Sequence, residues 1–156
     1  GGELLNKAAG TKVVHVPYKG AAPALQDVLG GQVETAMVGT PSALAHIKSG
    51  KLTALGVTSA KRTSLVPGVP TIAETIPGYE VELVYAIVAP ANTPKDVVAR
   101  LNAEIGKAMQ DPELRTKLLD QGFEVRTSTP EQLGDYMRAE IRKWAPIVKE
   151  TGVKAE

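Results

Sequence analysis

The sequence VVHVPYKGAAPALQD, from Val13 to Asp27, decides the fold class. Its apolar start, Val13–Pro17, predicts a buried strand, and a short turn over Tyr18–Ala22 leads into a helix predicted to begin at Pro23. A turn that joins a strand end to a helix N-terminus often holds an anion in α/β proteins, because the first N–H groups of the helix have no acceptor within it. The stretch therefore predicts an α/β protein with a candidate anion site at this turn.

The predicted helix start at Pro23 has no side-chain cap. Ser, Thr, Asp and Asn usually accept a hydrogen bond from the first helical N–H groups, but the preceding residues are Gly20, Ala21 and Ala22. Other predicted helix starts place a capping residue directly before a proline: Thr40-Pro41, Thr93-Pro94, Asp111-Pro112 and Thr129-Pro130. We therefore interpret the turn as one that an external carboxylate or phosphate caps. Water or a turn carbonyl is the alternative.

Alternating strand and helix patterns predict a β-α-β-α-β unit in the first half of the chain. A short helix over Glu3–Ala9 comes first and ends at Gly10. Strands are then predicted over Val13–Pro17, Val33–Val38 and Leu52–Thr58, with helices over Pro23–Leu29 and Ser42–Ser49. Short connections in this order predict a parallel sheet with right-handed crossovers.

The second half of the chain is predicted to be mainly helical. Ser59–Pro77 is a long proline-containing loop with one helical turn at Thr71–Thr75. The later elements are strands over Val81–Ala89 and Phe123–Thr127, helices over Pro94–Gln110, Pro112–Gln121 and 130–150, and a tail at Gly152-Val153-Lys154. Pro146 is expected to kink or break the last helix.

These late helices carry apolar stripes that the chain itself cannot cover. The stripes comprise Val97, Leu101, Ile105 and Ala108 on one helix and Leu133, Met137, Ile141, Trp144 and Val148 on another. The predicted strands are too few for a sheet that would bury both. We therefore expect exposed apolar faces, self-association, and a chain that belongs to a larger assembly of elements.

Composition excludes several classes of function. The net charge is +1, which does not favour a nucleic-acid surface, and the absence of cysteine excludes disulfides and thiolate metal sites. No zinc-protease, nucleophile-elbow, P-loop or dinucleotide motif occurs, and no carboxylate pair is placed for acid–base work. His15 and His46 are interpreted as packed or surface residues. We predict no metal and no cofactor.

The remaining polar candidates follow the predicted strands. Tyr18 and Lys19 come after the first strand, and Thr40 and Ser42 after the second, at the sheet edge where open α/β folds bind ligands. Each has an alternative role. Thr40 and Ser42 can cap their own helix, Lys19 can be solvated, and Tyr18 can pack.

Three stretches resemble the solute-binding proteins of tripartite tricarboxylate transporters, also called Bug receptors or extracytoplasmic solute receptors. They are VPYKGAAPALQDVLGGQVE from Val16, TPSALAHIKSGKLTALGVTSAKRTSLVPGVPTIAET from Thr40, and APANTP from Ala89. The resemblance covers essentially the whole chain. It implies a type II periplasmic-binding-protein-like fold, in which a parallel β/α sheet domain is joined to C-terminal helices that return to an incomplete first domain.

The resemblance also implies a function and a site. Such a receptor is not an enzyme: it captures a small mono-, di- or tricarboxylate in the periplasm and delivers it to a membrane permease. A ligand carboxylate is bound by backbone N–H groups after V-P-Y, which here belong to Gly20, Ala21 and Ala22. An aromatic-Asp-Asn run is replaced by Met37-Val38-Gly39-Thr40, which leaves Thr40 as the candidate there.

The resemblance assigns residues 1–80 to ligand-binding domain 2 and residues 81–156 to a crossover strand and helices of domain 1. Family members are about twice as long, and their N-terminal half carries the signal peptide and the opposing wall of the cleft. Two alternatives remain: the effector-binding domain of a transcriptional regulator, and an enzyme acting on a phosphorylated or carboxylated substrate.

Overall fold

A computed structural model of the chain describes residues 1–151. Within them the chain forms α1 (Gly2–Ala9), α2 (Ala21–Leu29), α3 (Thr40–Lys48), α4 (Lys95–Ala108), α5 (Pro112–Asp120) and α6 (Pro130–Thr151). A single 3₁₀ turn, Ile72–Glu74, lies in the long loop where one helical turn is predicted.

Each predicted helix is present, with ends shifted by a few residues. α1 is ended by Gly10, whose φ of 67° is the left-handed conformation expected of a C-terminal glycine. α2 begins at Ala21 and not at Pro23. α6 continues through Pro146, so the predicted break is wrong: a proline removes one hydrogen bond from a helix of 22 residues. The predicted tail at Gly152-Val153-Lys154 lies outside the described residues.

The predicted parallel sheet does not form among residues 1–151. The segments predicted as strands are not helical, but the one β-bridge in the described chain joins Val57 to Thr71 in parallel. In the first of these segments Val14 is 82% exposed, and its neighbours Val13 and Val16 are exposed as well. An apolar run specifies a strand-like segment, whereas a sheet also needs a second backbone at hydrogen-bonding distance, which the described residues do not supply.

The described chain divides into two compact units. Unit 1 comprises Gly1–Val84 and Asp120–Phe123, and unit 2 comprises Tyr85–Leu119 and the chain from Glu124 onward. α2 and α3 contact each other in unit 1. The buried apolar residues of unit 1 are Ala24, Leu25, Ala43, Leu44, Val66 and Tyr79. This small core fixes the two helices on which the predicted site lies.

The long loop of unit 1 is held by a network around Glu74. Arg62 binds the Glu74 carboxylate with two hydrogen bonds, from Nε at 2.8 Å and from Nη2 at 2.6 Å. Glu74 also accepts from the Thr71 N–H at 3.0 Å, and the Thr71 hydroxyl accepts from the Glu74 N–H at 3.2 Å, which completes a capping box. The Arg62 guanidinium, and next the Thr71 N–H, lower the pKa of Glu74 from 4.5 to about 2.

We expect this network to make unfolding pH-dependent. Because the pKa of Glu74 is lower in the folded state, its stabilising contribution is complete above pH 4.5 and is lost as the pH falls toward about 2. Glu74→Gln should therefore be less stable than wild type at neutral pH, and the gap should close over that range. Urea unfolding of both proteins at a series of pH values measures this gap. A gap that stays constant down to the lowest pH would contradict the prediction.

The helices of unit 2 expose the apolar faces that the sequence predicts. Asp111 Oδ1 accepts from the Leu114 N–H at 2.8 Å, and the predicted cap Thr129 forms a capping box with Gln132 at the start of α6. α4 and α6 contact each other. Large apolar side chains on the unit 2 helices are nevertheless exposed: Val97, Leu101, Leu119, Met137, Ile141 and Val148. No helix of the described chain has the length and apolar content to cross a bilayer.

We expect the 156-residue chain to self-associate through these faces, because exposed apolar area is removed from water when copies meet. Light scattering over a concentration series should show a mass that rises with concentration. Ile141→Glu, which places a charge at a side chain 66% exposed, should reduce the association. Arg142→Gln, at the next exposed position, is the matched control. A strictly monomeric wild type at high concentration would contradict this prediction.

Candidate functional site

The turn at Tyr18–Ala22 gives α2 a glycine cap. Gly20 is the N-cap residue, with φ 105° and ψ 178°, a conformation that side-chain-bearing residues rarely adopt. No side chain caps the helix, as predicted. The Gly20 N–H donates to the Tyr18 carbonyl at 2.9 Å, and Pro23 has no N–H. The unused donors of the first turn are therefore the N–H groups of Ala21 and Ala22.

Tyr18 is tied to the middle of α2. Its hydroxyl donates to Asp27 Oδ2 at 2.7 Å, and this hydrogen bond to the carboxylate raises the pKa of Tyr18 above 10.0. The Asp27 carbonyl in turn accepts from the Gln32 N–H at 2.8 Å, at the other end of the helix. Tyr18 therefore holds the turn in place, and its hydroxyl proton is already shared with Asp27.

The start of α3 also has a glycine N-cap, although Gly39 is extended, with φ −64° and ψ 141°, where Gly20 has φ 105°. Its N-cap is Gly39, with no side-chain cap, so the predicted cap by Thr40 is wrong. Thr40 is already the first helical residue, whereas a capping side chain must come from a non-helical position. The Ser42 N–H donates to the Gly39 carbonyl at 3.0 Å, and Pro41 has no N–H. The Thr40 N–H is thus the unused backbone donor at this start.

The predicted contrast between α2 and the other helices is therefore wrong. α4 also lacks a side-chain cap, because its N-cap is Pro94 and not Thr93. Side-chain caps occur at α5 and α6, where Asp111 and Thr129 accept from helical N–H groups. The three α-helices of the Gly1–Val84 part of unit 1 all have a glycine N-cap without a side-chain cap, and among them α2 and α3 also carry a proline in the first turn.

The sequences of α2 and α3 repeat one pattern with an offset of 19 residues, although their N-cap glycines differ in conformation. Gly20 and Gly39 are the N-caps, Leu25 and Leu44 are the buried leucines, and Gly31 and Gly50 follow the helices with φ near 71° and 72°. The repeated A-L pair and the glycines at fixed offsets are visible in the sequence. This repeated pattern could have predicted from the sequence that Gly39 belongs to the candidate site together with Gly20.

The other candidate residues lie near these helix starts, and the structure assigns no specific role to them. Lys19 and Ser42 are exposed, and Thr40 is half-buried. Among the described residues, no group of three or more His, Cys, Asp or Glu side chains could hold a metal ion. The chemistry available at the two helix starts is hydrogen-bond donation to an anion, from the N–H groups of Ala21, Ala22 and Thr40.

Residues 1–153 match the family described as the tripartite tricarboxylate transporter family receptor, TctC, and the chain belongs to this family. It is 38% identical over 154 residues to the UPF0065 protein in the tcbD-tcbE intergenic region of Pseudomonas sp. strain P51, covering 97% of this chain and 46% of that protein. It is 36% identical over 153 residues to protein BugT of Bordetella pertussis, covering 97% and 47%. The chain thus spans about half the length of these relatives.

Solved structures of similar proteins agree with the family. The chain is similar to R. palustris Rpa4515 with adipate, with a TM-score of 0.86 and 32% identity over 97% of this chain and 51% of that one. It is also similar to a TctC solute-binding protein from Polaromonas, with a TM-score of 0.71 and 26% identity over 96% and 52%. These matches confirm the resemblance and the fold class at the level of the periplasmic solute-binding proteins. The family is one of receptors and not of enzymes, in agreement with the sequence prediction.

We predict that Tyr18→Phe destabilises the turn without removing a ligand contact, because its hydroxyl already donates to Asp27. The variant should melt at a lower temperature than wild type and keep nearly the same affinity for carboxylates. Thermal melts and calorimetric titrations of the full-length protein measure the two properties. Asp27→Asn is the control: it should also lower the melting temperature, and it should bring the pKa of Tyr18 down toward 10.0. A large loss of affinity in Tyr18→Phe alone would place the hydroxyl on the ligand.

Proposed function

We propose that this chain is the ligand-binding part of a tripartite tricarboxylate transporter receptor that captures a small organic carboxylate in the periplasm. The observation that carries the proposal is the pair of helix starts, at α2 and α3, that combine a glycine N-cap with a proline in the first turn. In a chain of this family they leave the N–H groups of Ala21, Ala22 and Thr40 without a capping side chain. In this proposal residues 1–80 form ligand-binding domain 2, and residues 81–156 return to domain 1.

The proposed ligand group is a carboxylate, bound mainly by the backbone. A carboxylate oxygen accepts from the N–H groups of Ala21 and Ala22, with Gly20 supplying the conformation that leaves them exposed at the helix start. Each such bond to a charged acceptor contributes roughly 1.5–3 kcal/mol. The positive ends of the two helix dipoles favour the same charge.

Side chains have secondary roles in this proposal. The Thr40 hydroxyl and N–H face a second oxygen or a second carboxylate, and Ser42 is a further candidate donor on the same turn. Lys19 adds positive charge beside the α2 start, and Tyr18 holds the turn through Asp27. The remaining contacts come from the opposing wall of the cleft, supplied by the N-terminal half of a full-length receptor, whose partner is the membrane permease.

The similarity to R. palustris Rpa4515 with adipate makes a dicarboxylate the first ligand to test. A thermal-shift screen of mono-, di- and tricarboxylates and aromatic acids on the full-length protein should identify a stabilising acid. Calorimetry then gives its affinity. Sub-micromolar binding to the 156-residue chain alone would contradict the two-walled cleft, and the absence of any stabilising carboxylate would contradict the proposed function. A helix-turn-helix segment upstream of this chain would favour the transcriptional regulator instead.

We predict that Ala21→Pro weakens carboxylate binding by roughly tenfold to a hundredfold, because it removes one N–H donor to a charged group. The fold should tolerate this change, since proline is favoured at the first helical position and Gly20 adapts to a following proline. Calorimetry with the acid found in the screen measures the effect.

Lys95→Pro is the matched control for Ala21→Pro, because Lys95 is the first residue of α4, another helix without a side-chain cap. It removes the corresponding N–H outside the proposed site and should leave the affinity unchanged. Equal affinities of Ala21→Pro and wild type would show that the α2 start does not bind the ligand.

A further inference from the structure

Gly122 makes an unusually close backbone contact with the start of α3. It is buried, with φ 87°. A Cβ atom at this position would lie 2.8 Å from Pro41 Cα, 3.0 Å from Pro41 N and 3.2 Å from the Thr40 carbonyl carbon. All three are backbone atoms, so no change of rotamer could relieve the clash. The absent side chain is what allows the loop after α5 to rest on the first turn of α3.

The contact sets Gly122 apart from the other glycines with positive φ. Within the described residues these are Gly10, Gly20, Gly31, Gly50, Gly68 and Gly78, and a Cβ at any of them would meet nothing within 4 Å. Their conformation alone explains why they are glycine. Gly122 follows α5, as a helix-terminating glycine commonly does. The backbone of α3 also leaves no room for a side chain there, and this second requirement is not visible in the sequence.

The contact at Gly39 differs from the contact at Gly122, because it involves a side chain that can move. A Cβ at Gly39 would lie 2.8 Å from Leu83 Cδ2, but Leu83 is 66% exposed and its side chain can turn away. By contrast, the loop over Asp120–Phe123 lines a groove of about 430 Å³ together with the Pro41, Leu44, Ala45 and Lys48 flank of α3. A groove therefore separates the loop from part of α3, and the backbone contact at Gly122 lies at the start of that helix.

We infer that Gly122 is a positioning residue for the α3 half of the ligand site. Its backbone fixes the turn that presents the Thr40 N–H, so it acts through α3 and not by touching the ligand. The ligand in this inference is taken from the proposed function. The placement of α3 by Gly122 is independent of that proposal. Asp120–Phe123 belongs to unit 1, whereas the residues on both sides of it belong to unit 2. The segment that contacts the start of α3 is therefore only four residues long.

The test compares Gly122→Ala with Gly78→Ala in the full-length protein. Both variants force a side chain into positive φ, at 87° and 82°, but only the first adds a clash. Hydrogen exchange of the ligand-free proteins, followed in the peptide that covers α3, reports the helix start. Calorimetry with adipate, or with a better acid from the screen, reports the site.

Gly122→Ala should exchange roughly tenfold faster in the first turn of α3 and bind roughly tenfold more weakly. Gly78→Ala should lose thermal stability and change neither property. Equal effects of the two variants, or unchanged exchange in α3, would overturn the inference. If wild type binds no carboxylate while Gly122→Ala still loosens α3, the proposed function fails and the positioning of α3 stands.

Gly122→Ala could fail to fold because of the strain at positive φ. Gly122→Asn and Gly78→Asn then replace the first pair, since asparagine tolerates this region of the backbone better than alanine and still carries the clashing Cβ. The same two readouts apply, and faster exchange in α3 with weaker binding is expected of Gly122→Asn alone.

Discussion

A backbone N–H or C=O group needs a hydrogen-bond partner, and the described chain depends on where that requirement is met. At α5 and α6 it is met locally, by Asp111 and by the Thr129–Gln132 capping box. At α2 and α3 it is not, because glycine occupies the cap and proline follows within the first turn. Unused donors therefore lie at the starts of these two helices, which share the small core of unit 1, and such donors suit an anion.

The same requirement explains the segments predicted as strands. A strand satisfies its backbone only through a neighbour, and in the described chain this occurs at the bridge between Val57 and Thr71 and where the Val81 N–H donates to the Thr58 carbonyl at 2.9 Å. Elsewhere a side chain substitutes: Asn6 donates from Nδ2 to the Val13 carbonyl at 2.8 Å and accepts from its N–H at 2.9 Å. The valines of this segment are exposed, so the Asn6 side chain orders the backbone without burying the apolar side chains.

Local order in unit 1 is maintained by side chains that reach along the sequence. Tyr18 ties the turn to Asp27 within α2, and Glu74 ties Arg62 to the 3₁₀ turn. Neither contact is deeply buried, so each works by orienting a loop and contributes little to a core. Gly122 differs, since it acts through backbone packing at a distance of many residues from α3. The candidate site is thus held by two kinds of constraint, one local and one tertiary.

The sequence by itself determined what depends on neighbours in the chain. The helices, their order, the capping residues Asp111 and Thr129, the absent cap at α2 and the family all follow from short-range patterns, because propensity and capping are decided within one or two turns. Only the tertiary structure decided that Gly39 and not Thr40 is the N-cap of α3, that Gly122 contacts that turn, and that the predicted strands form no sheet among the described residues. These depend on which backbones meet in space, and no residue pattern records an acceptor, or a partner strand, that lies far along the chain or beyond it.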